Sequence, residues 1–240
     1  MKKILLIIPA YNEEENIGKV IKEIKSDFKE ADVLVINDCS NDNTEQVLIE
    51  NKVNYLNNIY NMGYAKAVQT GIKYARNNNY DYVIQFDADG QHIASEAKKL
   101  LDAIKNGESD IVIGSRYLKD LGYPCPFFRR VGTKIFEFII KITCKTKIVD
   151  PLSGFQCFNK RVIEKYSKMG GYPEYPDANL IVEMLKSGYK IKEVPVKMRI
   201  RENGESMHGG IIKPIKYMIN MVYEIFFILI QYSFKRGGSR

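Results

Sequence analysis

The first half of the chain alternates short apolar runs with stretches whose apolar residues recur every three or four positions. The runs "ILLIIPA" (4–10), "DVLVIND" (32–38), "YVIQFDAD" (82–89) and "DIVIGS" (110–115) are bounded by polar residues or glycine and predict strands. Between them, residues 13–28, 42–50, 63–77 and 94–106 carry helical spacing. In the first of these, Ile17, Val20, Ile21 and Ile24 fall on one helix face. Such alternation predicts an α/β fold with a mostly parallel sheet flanked by helices. Later the pattern changes: "RRVGTKIFEFIIKI" (129–142) predicts a helix and "GFQCFN" (154–159) a short strand. "DANLIVEMLKSG" (177–188) predicts a helix closed by Gly188, and the proline in "YKIKEVPVKMRIR" (189–201) predicts an edge strand.

In sheets of this kind, ligands bind beyond the carboxyl ends of the strands. Polar residues gather at those ends. Asn12 and Glu13 follow the first strand, and Asn37 and Asp38 close the second. Asp87 and Asp89 close a later one, and Ser115 and Arg116 end the next. A crevice receiving four such ends is a binding site by geometry.

Composition changes this picture little. The 240 residues suit one large α/β domain, or a catalytic domain over 1–210 with a C-terminal helix over 211–240. A net charge of +7 points to an anionic partner: nucleic acid, a sugar nucleotide or a lipid headgroup. The lysines scatter instead of forming a stripe with interleaved aromatics, so a nucleic-acid partner is not expected. Cys39, Cys125, Cys144 and Cys157 form no CxxC pair, and only two histidines are present, which argues against zinc and for a reduced, cytosolic setting. "MKKILLIIPAYNEEEN" begins like a signal peptide, but its apolar run is short and ends in glutamates, as a buried first strand would.

Six elements in fixed order carry a family resemblance: "IIPAYNEEENI", "VINDCSNDNT", "NMGYAKAVQTG", "FDADGQH", "GSRY" and "DPLSGFQCF". Over roughly residues 3–206 the chain resembles family 2 glycosyltransferases of the GT-A, Rossmann-like nucleotide-diphospho-sugar transferase fold. Within that family it is most similar to enzymes like dolichyl-phosphate mannose synthase and bacterial polyprenyl-phosphate sugar transferases. The resemblance implies an inverting, metal-dependent transfer from a nucleotide-sugar donor, a UDP-hexose or UDP-N-acetylhexosamine, to a polyprenyl phosphate. The alternative is a family 2 enzyme adding sugar to a glycan hydroxyl in cell-surface polysaccharide synthesis.

The resemblance assigns nucleotide recognition to Pro9, Ala10, Tyr11, Glu13 and Asp38. Asn37, Asp87 and Ala88 join them as nucleotide-sugar residues, and Lys66, which follows Gly63 at a helix start, suits a phosphate there or a solvated surface. Asn37 stands where the family usually has Asp, and Cys39 where Gly is common, which leaves GDP and dTDP open beside UDP. In an extended segment Asp87 and Asp89 point the same way and can address one ion. Oxygen ligands favour Mg²⁺ or Mn²⁺, and the resemblance adds Gln91 as a third ligand. Arg116 suits a phosphate, because guanidinium forks match phosphate oxygens. For a hydroxyl acceptor the resemblance implies a base at the start of a helix that ends eleven residues later at Gly, which falls on Asp177 before Gly188, with Glu174 in reserve; Asp at a helix start is also a normal cap. A phosphate acceptor needs cationic clamps more than a base, and Arg116, Arg129, Arg130 and Arg201 suit it. Asp177, Asp89 and Arg116 are thus the catalytic candidates.

In "IIKPIKYMINMVYEIFFILIQYSFKR" (211–236), Lys213, Lys216, Asn220, Glu224, Gln231 and Lys235 form one narrow polar stripe on an otherwise apolar helix. A central Glu would cost about 2.5–3.5 kcal/mol in a spanning helix. The pattern predicts an interfacial helix, or one packed against a small membrane protein, its own domain or a second copy. The basic end, Lys235, Arg236 and Arg240, favours anionic headgroups. A cytoplasmic enzyme held peripherally at the inner face of the cell membrane is the expectation. A nucleotidyltransferase is disfavoured because "PAYNEEEN" is acidic where a basic Gly-rich loop is needed, and a non-catalytic scaffold because the Asp87/Asp89 pair is intact.

Overall fold

The computed structural model describes residues 2–124, 127–201 and 212–237. The order of elements is β1 (Ile4–Ala10), α1 (Ile17–Asp27), β2 (Asp32–Asn37), α2 (Thr44–Glu50), β3 (Asn54–Asn57), α3 (Tyr64–Asn77), β4 (Tyr82–Gln85), α4 (Ala94–Lys105) and β5 (Ile111–Ser115). There follow α5 (Phe127–Cys144), β6 (Gln156–Asn159), α6 (Lys160–Ser167), α7 (Ala178–Lys186), β7 (Ile191–Pro195) and α8 (Ile212–Gly237).

The strands form one seven-stranded sheet in the order β3-β2-β1-β4-β6-β5-β7. All neighbours pair in parallel except β6, which runs antiparallel to both β4 and β5. The sheet has an apolar layer on each face. Leu5, Ile7, Leu34, Ile36 and Val83 pack with α3, α5, α6 and α7, while Leu6, Ile8, Val35 and Ile84 pack with α1, α2 and α4. Alternate residues of one strand thus serve opposite layers, which is why β1 and β4 are buried at every position. Helix α3 lies unusually close to β1: a Cβ on Gly71 would stand 2.9 Å from Ile7 Cγ2, so this contact requires glycine.

Two elements escape the apolar pattern. β3 is "NYLN" at the sheet edge, exposed at three of its four residues, so no apolar run marks it. α6 starts directly after β6, where the Asn159 side chain accepts the Val162 N–H. The run 82–89 is also shorter than predicted. Pairing stops at Gln85, and Ala88 and Asp89 lie in a turn, because Gly90 has φ +78° and takes the chain away from the sheet. β7 is an edge strand ending at Pro195, as its proline predicts.

Helix α8 holds to α7 by one face. Tyr217, Met221 and Ile225 are buried in the layer that includes Leu180, Ile181 and Met184, and Asn179 donates to Glu224. The opposite face is open: Ile215, Ile219, Val222, Tyr223, Phe226 and Phe227 are all exposed. Val131, Ile135, Phe138 and Ile142 of α5 are exposed as well. A Cβ on Gly132 of α5 would stand 3.5 Å from Met218 Sδ, so the two helices touch. Among the described residues, Pro214–Phe234 is the helix long and apolar enough to cross a membrane, with a mean hydropathy of 1.3. The polar stripe therefore flanks the docking face, and Glu224 finds its partner in the protein. Lys213, Lys235, Arg236 and Arg240 lie outside the described side chains.

Candidate active site

The crevice at the carboxyl ends of β1, β2, β4 and β5 gathers most of the predicted residues. Its centre is Asp87, just past β4. Tyr64, in the first turn of α3, donates to Asp87 Oδ1 at 2.7 Å and accepts from Gln85 Nε2 at 2.7 Å. His92 accepts the Asp87 N–H at Nδ1 (3.0 Å), and its Nε2 lies 3.5 Å from Asp87 Oδ2. His92 is buried and stacked on Phe155 at 4.4 Å. Burial pushes it down to about 4, so at neutral pH it is an uncharged ring that holds the Asp87 backbone N–H and is not an ion-pair partner of the carboxylate. Gly154 adds no side chain here: a Cβ would stand 3.1 Å from the Tyr64 hydroxyl and 3.6 Å from Asp87 Oδ2.

Burial raises the pKa of Asp87, against the Tyr64 hydrogen bond and the charges of Arg116 and Arg201. Burial, then the like charge of Asp87, raises Asp89. Arg201 Nη1 lies 3.7 Å from Asp89 Oδ2, and Nη2 donates to Glu13 Oε1 at 2.8 Å. The pair is thus desolvated and under mutual repulsion, with oxygen donors on offer, which fits a divalent cation. Among the described residues no group of three or more Asp, Glu, His or Cys side chains could hold a metal by itself. Gln91 turns its amide toward the Arg199 carbonyl (3.5 Å), while its N–H donates to Asp89 Oδ1. Two carboxylates leave most of such an ion's coordination to oxygens of water or a bound ligand.

The first two strand ends behave differently from one another. Pro9 and Ala10 end β1 inside the core, and Tyr11 emerges with 43% of its surface exposed. Glu13 pairs with Asn16 and Arg201, and burial raises its pKa. Asn37 and Asp38 are buried and turned into the protein. Asn37 Oδ1 accepts from Ser40, and its amide donates to Asn57. Asp38 accepts from Asn58 Nδ2 and from the Met62 and Gly63 N–H groups, so it fastens the loop that leads into α3. Lys66 reaches the Tyr172 carbonyl at 3.3 Å, and Ala88 is buried beside the carboxylates.

Arg116 is not an open phosphate ligand in this arrangement. Its Nε and Nη2 form a bidentate pair with Asp150 at 2.8 and 2.7 Å, and its N–H donates to the same carboxylate at 2.9 Å. Burial works against the guanidinium charge, but Asp150 outweighs it and the net pKa is raised. Asp150 opens the "DPLSGFQCF" element, but nothing in the linear pattern paired it with Arg116, which lies 34 residues away at the end of β5. Arg116 also lies over Tyr117 and Tyr123, Arg130 sits 4.1 Å from the Tyr117 ring, and Arg129 Nη1 donates to the Tyr123 hydroxyl at 3.4 Å. Nη1 of Arg130 is buried without a hydrogen-bond partner among the described residues. An orphaned guanidinium nitrogen suits an anion.

Asp177 precedes α7, and its side chain does not cap that helix. It accepts instead from the Tyr217 hydroxyl of α8 at 2.7 Å. Burial, with the charges of Asp87 and Asp150 adding to it, raises Asp177 to about 6 despite Tyr217 and Arg116. Asp177 therefore belongs to the same crevice as Asp87. Glu174 is exposed. Tyr64, His92, Asp150 and Tyr217 are the side chains that sequence reasoning missed. Tyr64, His92 and Asp150 lay within motifs already singled out.

Residues 5–167 match the family model for Glycosyl transferase family 2. The chain is 28% identical over 220 residues to the polyprenol monophosphomannose synthase of Mycolicibacterium smegmatis, covering 87% of this chain and 82% of that protein. It is 30% identical over 217 residues to the UDP-N-acetylglucosamine–dolichyl-phosphate N-acetylglucosaminyltransferase of Methanococcus voltae, covering 82% and 85%. Its fold is shared with glucosyl-3-phosphoglycerate synthase from Mycobacterium tuberculosis, solved with Mn²⁺, UDP and glucosyl-3-phosphoglycerate. The TM-score is 0.68 at 16% identity, over 96% of this chain and 80% of the other. With a GT-A-type sheet, the carboxylate pair at its strand ends and this match, the chain belongs to glycosyl transferase family 2.

Proposed function

We propose that the chain is an inverting, metal-dependent glycosyltransferase that moves a sugar from a nucleotide-sugar, a UDP-hexose or UDP-N-acetylhexosamine, to a polyprenyl phosphate at a membrane surface. The observation that carries this reading is the meeting of two features. The Asp87–Asp89–Asp177 crevice is tied by Tyr217 to α8, whose opposite face, with α5, presents open apolar surface. A lipid-linked acceptor needs both at once: a charged crevice for its phosphate and an apolar surface beside it. By name, the Mycolicibacterium smegmatis relative is a polyprenol monophosphomannose synthase and the Methanococcus voltae relative a dolichyl-phosphate N-acetylglucosaminyltransferase.

In this reading Asp87 and Asp89 would hold a Mg²⁺ or Mn²⁺ ion, which would neutralise charge developing on the leaving diphosphate. Tyr64 and His92 hold Asp87 in place. Tyr11 offers an exposed ring to the nucleotide base. Arg129 and the unpartnered nitrogen of Arg130 receive the acceptor phosphate, with Arg116 held behind them by Asp150. The acceptor's oxygen attacks C1 of the sugar, and the C1–O bond to the diphosphate breaks in one displacement, inverting the anomeric centre. Asp177, at about 6, is matched to a phosphate monoester whose second pKa is about 6, so it accepts the remaining proton from an acceptor that arrives as monoanion. The exposed face of α5 and α8 lies in the headgroup region, with Lys141, Lys145 and Lys216 exposed nearby to meet anionic lipid.

The test is a donor screen on the full chain, with Mn²⁺ and Mg²⁺, with and without undecaprenyl phosphate. UDP- and GDP-linked hexoses and N-acetylhexosamines are the donors. The expected result is labelled sugar in the organic phase only when lipid phosphate is present. Transfer to a glycan hydroxyl alone, or no lipid product from any donor, overturns the proposal.

A further inference from the structure

The C-terminal helix reaches the candidate catalytic carboxylate by two separate routes. Through side chains, the Tyr217 hydroxyl donates to Asp177 Oδ2 at 2.7 Å. Through the backbone, the Asp177 N–H donates to Asn179 Oδ1 at 2.9 Å, and the amide of Asn179 donates to Glu224 of α8. Tyr217 is itself held edge-on to Tyr175, with ring centroids 4.9 Å apart, and is buried. Burial, then the charge of Asp177, keeps its hydroxyl protonated and therefore a donor. An anchoring helix needs none of this. Apolar contacts such as Met221 and Ile225 would seat it equally well.

We propose that Tyr217 is a positioning residue for Asp177, so that α8 is part of the active site and its seating sets the orientation and proton affinity of that carboxylate. The proposal rests on the reading above only for what Asp177 does in turnover; the coupling itself is a property of the protein alone. The groups facing Asp177 come from every surrounding element. Asp87 past β4, Arg116 at the end of β5 and Asp150 act through charge, and the Tyr64 and Tyr172 hydroxyls lie within electrostatic reach. Among these, Tyr217 is the direct hydrogen-bond donor to the Asp177 side chain and the one supplied by α8. A hydrogen bond to the ionised form favours ionisation, so its loss makes the carboxylate a stronger proton acceptor and leaves it free to rotate. Because α8 also carries the exposed apolar face, whatever shifts the helix at a membrane is transmitted to Asp177 without an intervening loop.

The experiment uses the full chain, metal-free, with ¹³C-labelled aspartate carboxyls, and identifies the Asp177 resonance by its disappearance in Asp177→Asn. Tyr217→Phe keeps the ring against Tyr175 and removes only the hydroxyl. The expected result is a titration midpoint moved upward by about half a unit or more. Ile21→Ala, buried in the core layer on the other face of the sheet, is the packing control. It is expected to lower the melting temperature and leave the midpoint in place. A midpoint in Tyr217→Phe that stays put or falls overturns the proposal, as does an equal upward move in Ile21→Ala. In turnover with undecaprenyl phosphate, Tyr217→Phe is expected to lower kcat several-fold at pH 6 with the KM for donor unchanged, and to add nothing in the Asp177→Asn background. If the wild-type chain transfers to no lipid phosphate, the function proposed above fails while the resonance still reads the coupling.

Discussion

Asp150→Ala is the perturbation for which the structure allows a magnitude. Asp150 is fully buried and accepts three hydrogen bonds from Arg116, two of them from a guanidinium that is itself only 11% exposed. Removing the carboxylate leaves an almost buried cation and a backbone N–H without their partner. Breaking a buried pair from one side costs about 3–5 kcal/mol, far more than the net worth of the pair. Against a total stability of roughly 5–15 kcal/mol, this is a large fraction. For a chain of this size each kcal/mol moves the melting temperature by about 2–4 °C, so the expected fall is roughly 6–20 °C. The assay is thermal unfolding followed by circular dichroism at neutral pH, with urea unfolding as a cross-check. Arg116→Met in the Asp150→Ala background removes the stranded charge and is expected to recover part of the loss. The reasoning is refuted if Asp150→Ala melts within about 2 °C of the wild type. That outcome would mean Arg116 is free to turn elsewhere, and its assignment as a phosphate ligand would regain its ground.

Two further outcomes follow from the same geometry. Asp177 titrates at about 6 against an ordinary 3.8, so the folded state binds its proton more tightly than the unfolded state does. Stability contributed by this group therefore falls as pH rises from about 4 to about 6, and the penalty is fully present at pH 7. Asp177→Asn is expected to raise the melting temperature at pH 7–8 and to lose that advantage below pH 4. A stabilisation that is the same at both ends would show that burial is not the cause. The membrane face is tested by Phe226→Glu with Phe227→Glu, residues that are 57% and 43% exposed. Loss of about 2 kcal/mol of apolar burial, roughly half the transfer free energy of the two rings, weakens binding to phosphatidylglycerol vesicles more than tenfold. Unchanged flotation would remove the interfacial role of α8.

What the linear order determined is what depends on neighbours along the chain. Apolar runs at β1, β2, β4 and β5, helical spacing in α1 and α3, and the proline that ends β7 are local signals, and most of the sheet and its helices follow from them. Asp87 and Asp89 were legible because a carboxylate pair one residue apart is a local anomaly, although the turn at Gly90, not an extended strand, carries Asp89. β3 was not legible, since an exposed edge strand has no apolar run to betray it. The tertiary structure alone decided which charges are spent and which remain. Asp150 takes the fork of Arg116, Asp38 turns inward to hold the Met62 and Gly63 N–H groups, and Tyr217 reaches Asp177 across 40 residues of sequence. A side chain's charge is written in the sequence, but its partner is whichever group folding brings within 3 Å, and its proton affinity is set by the water that folding removes.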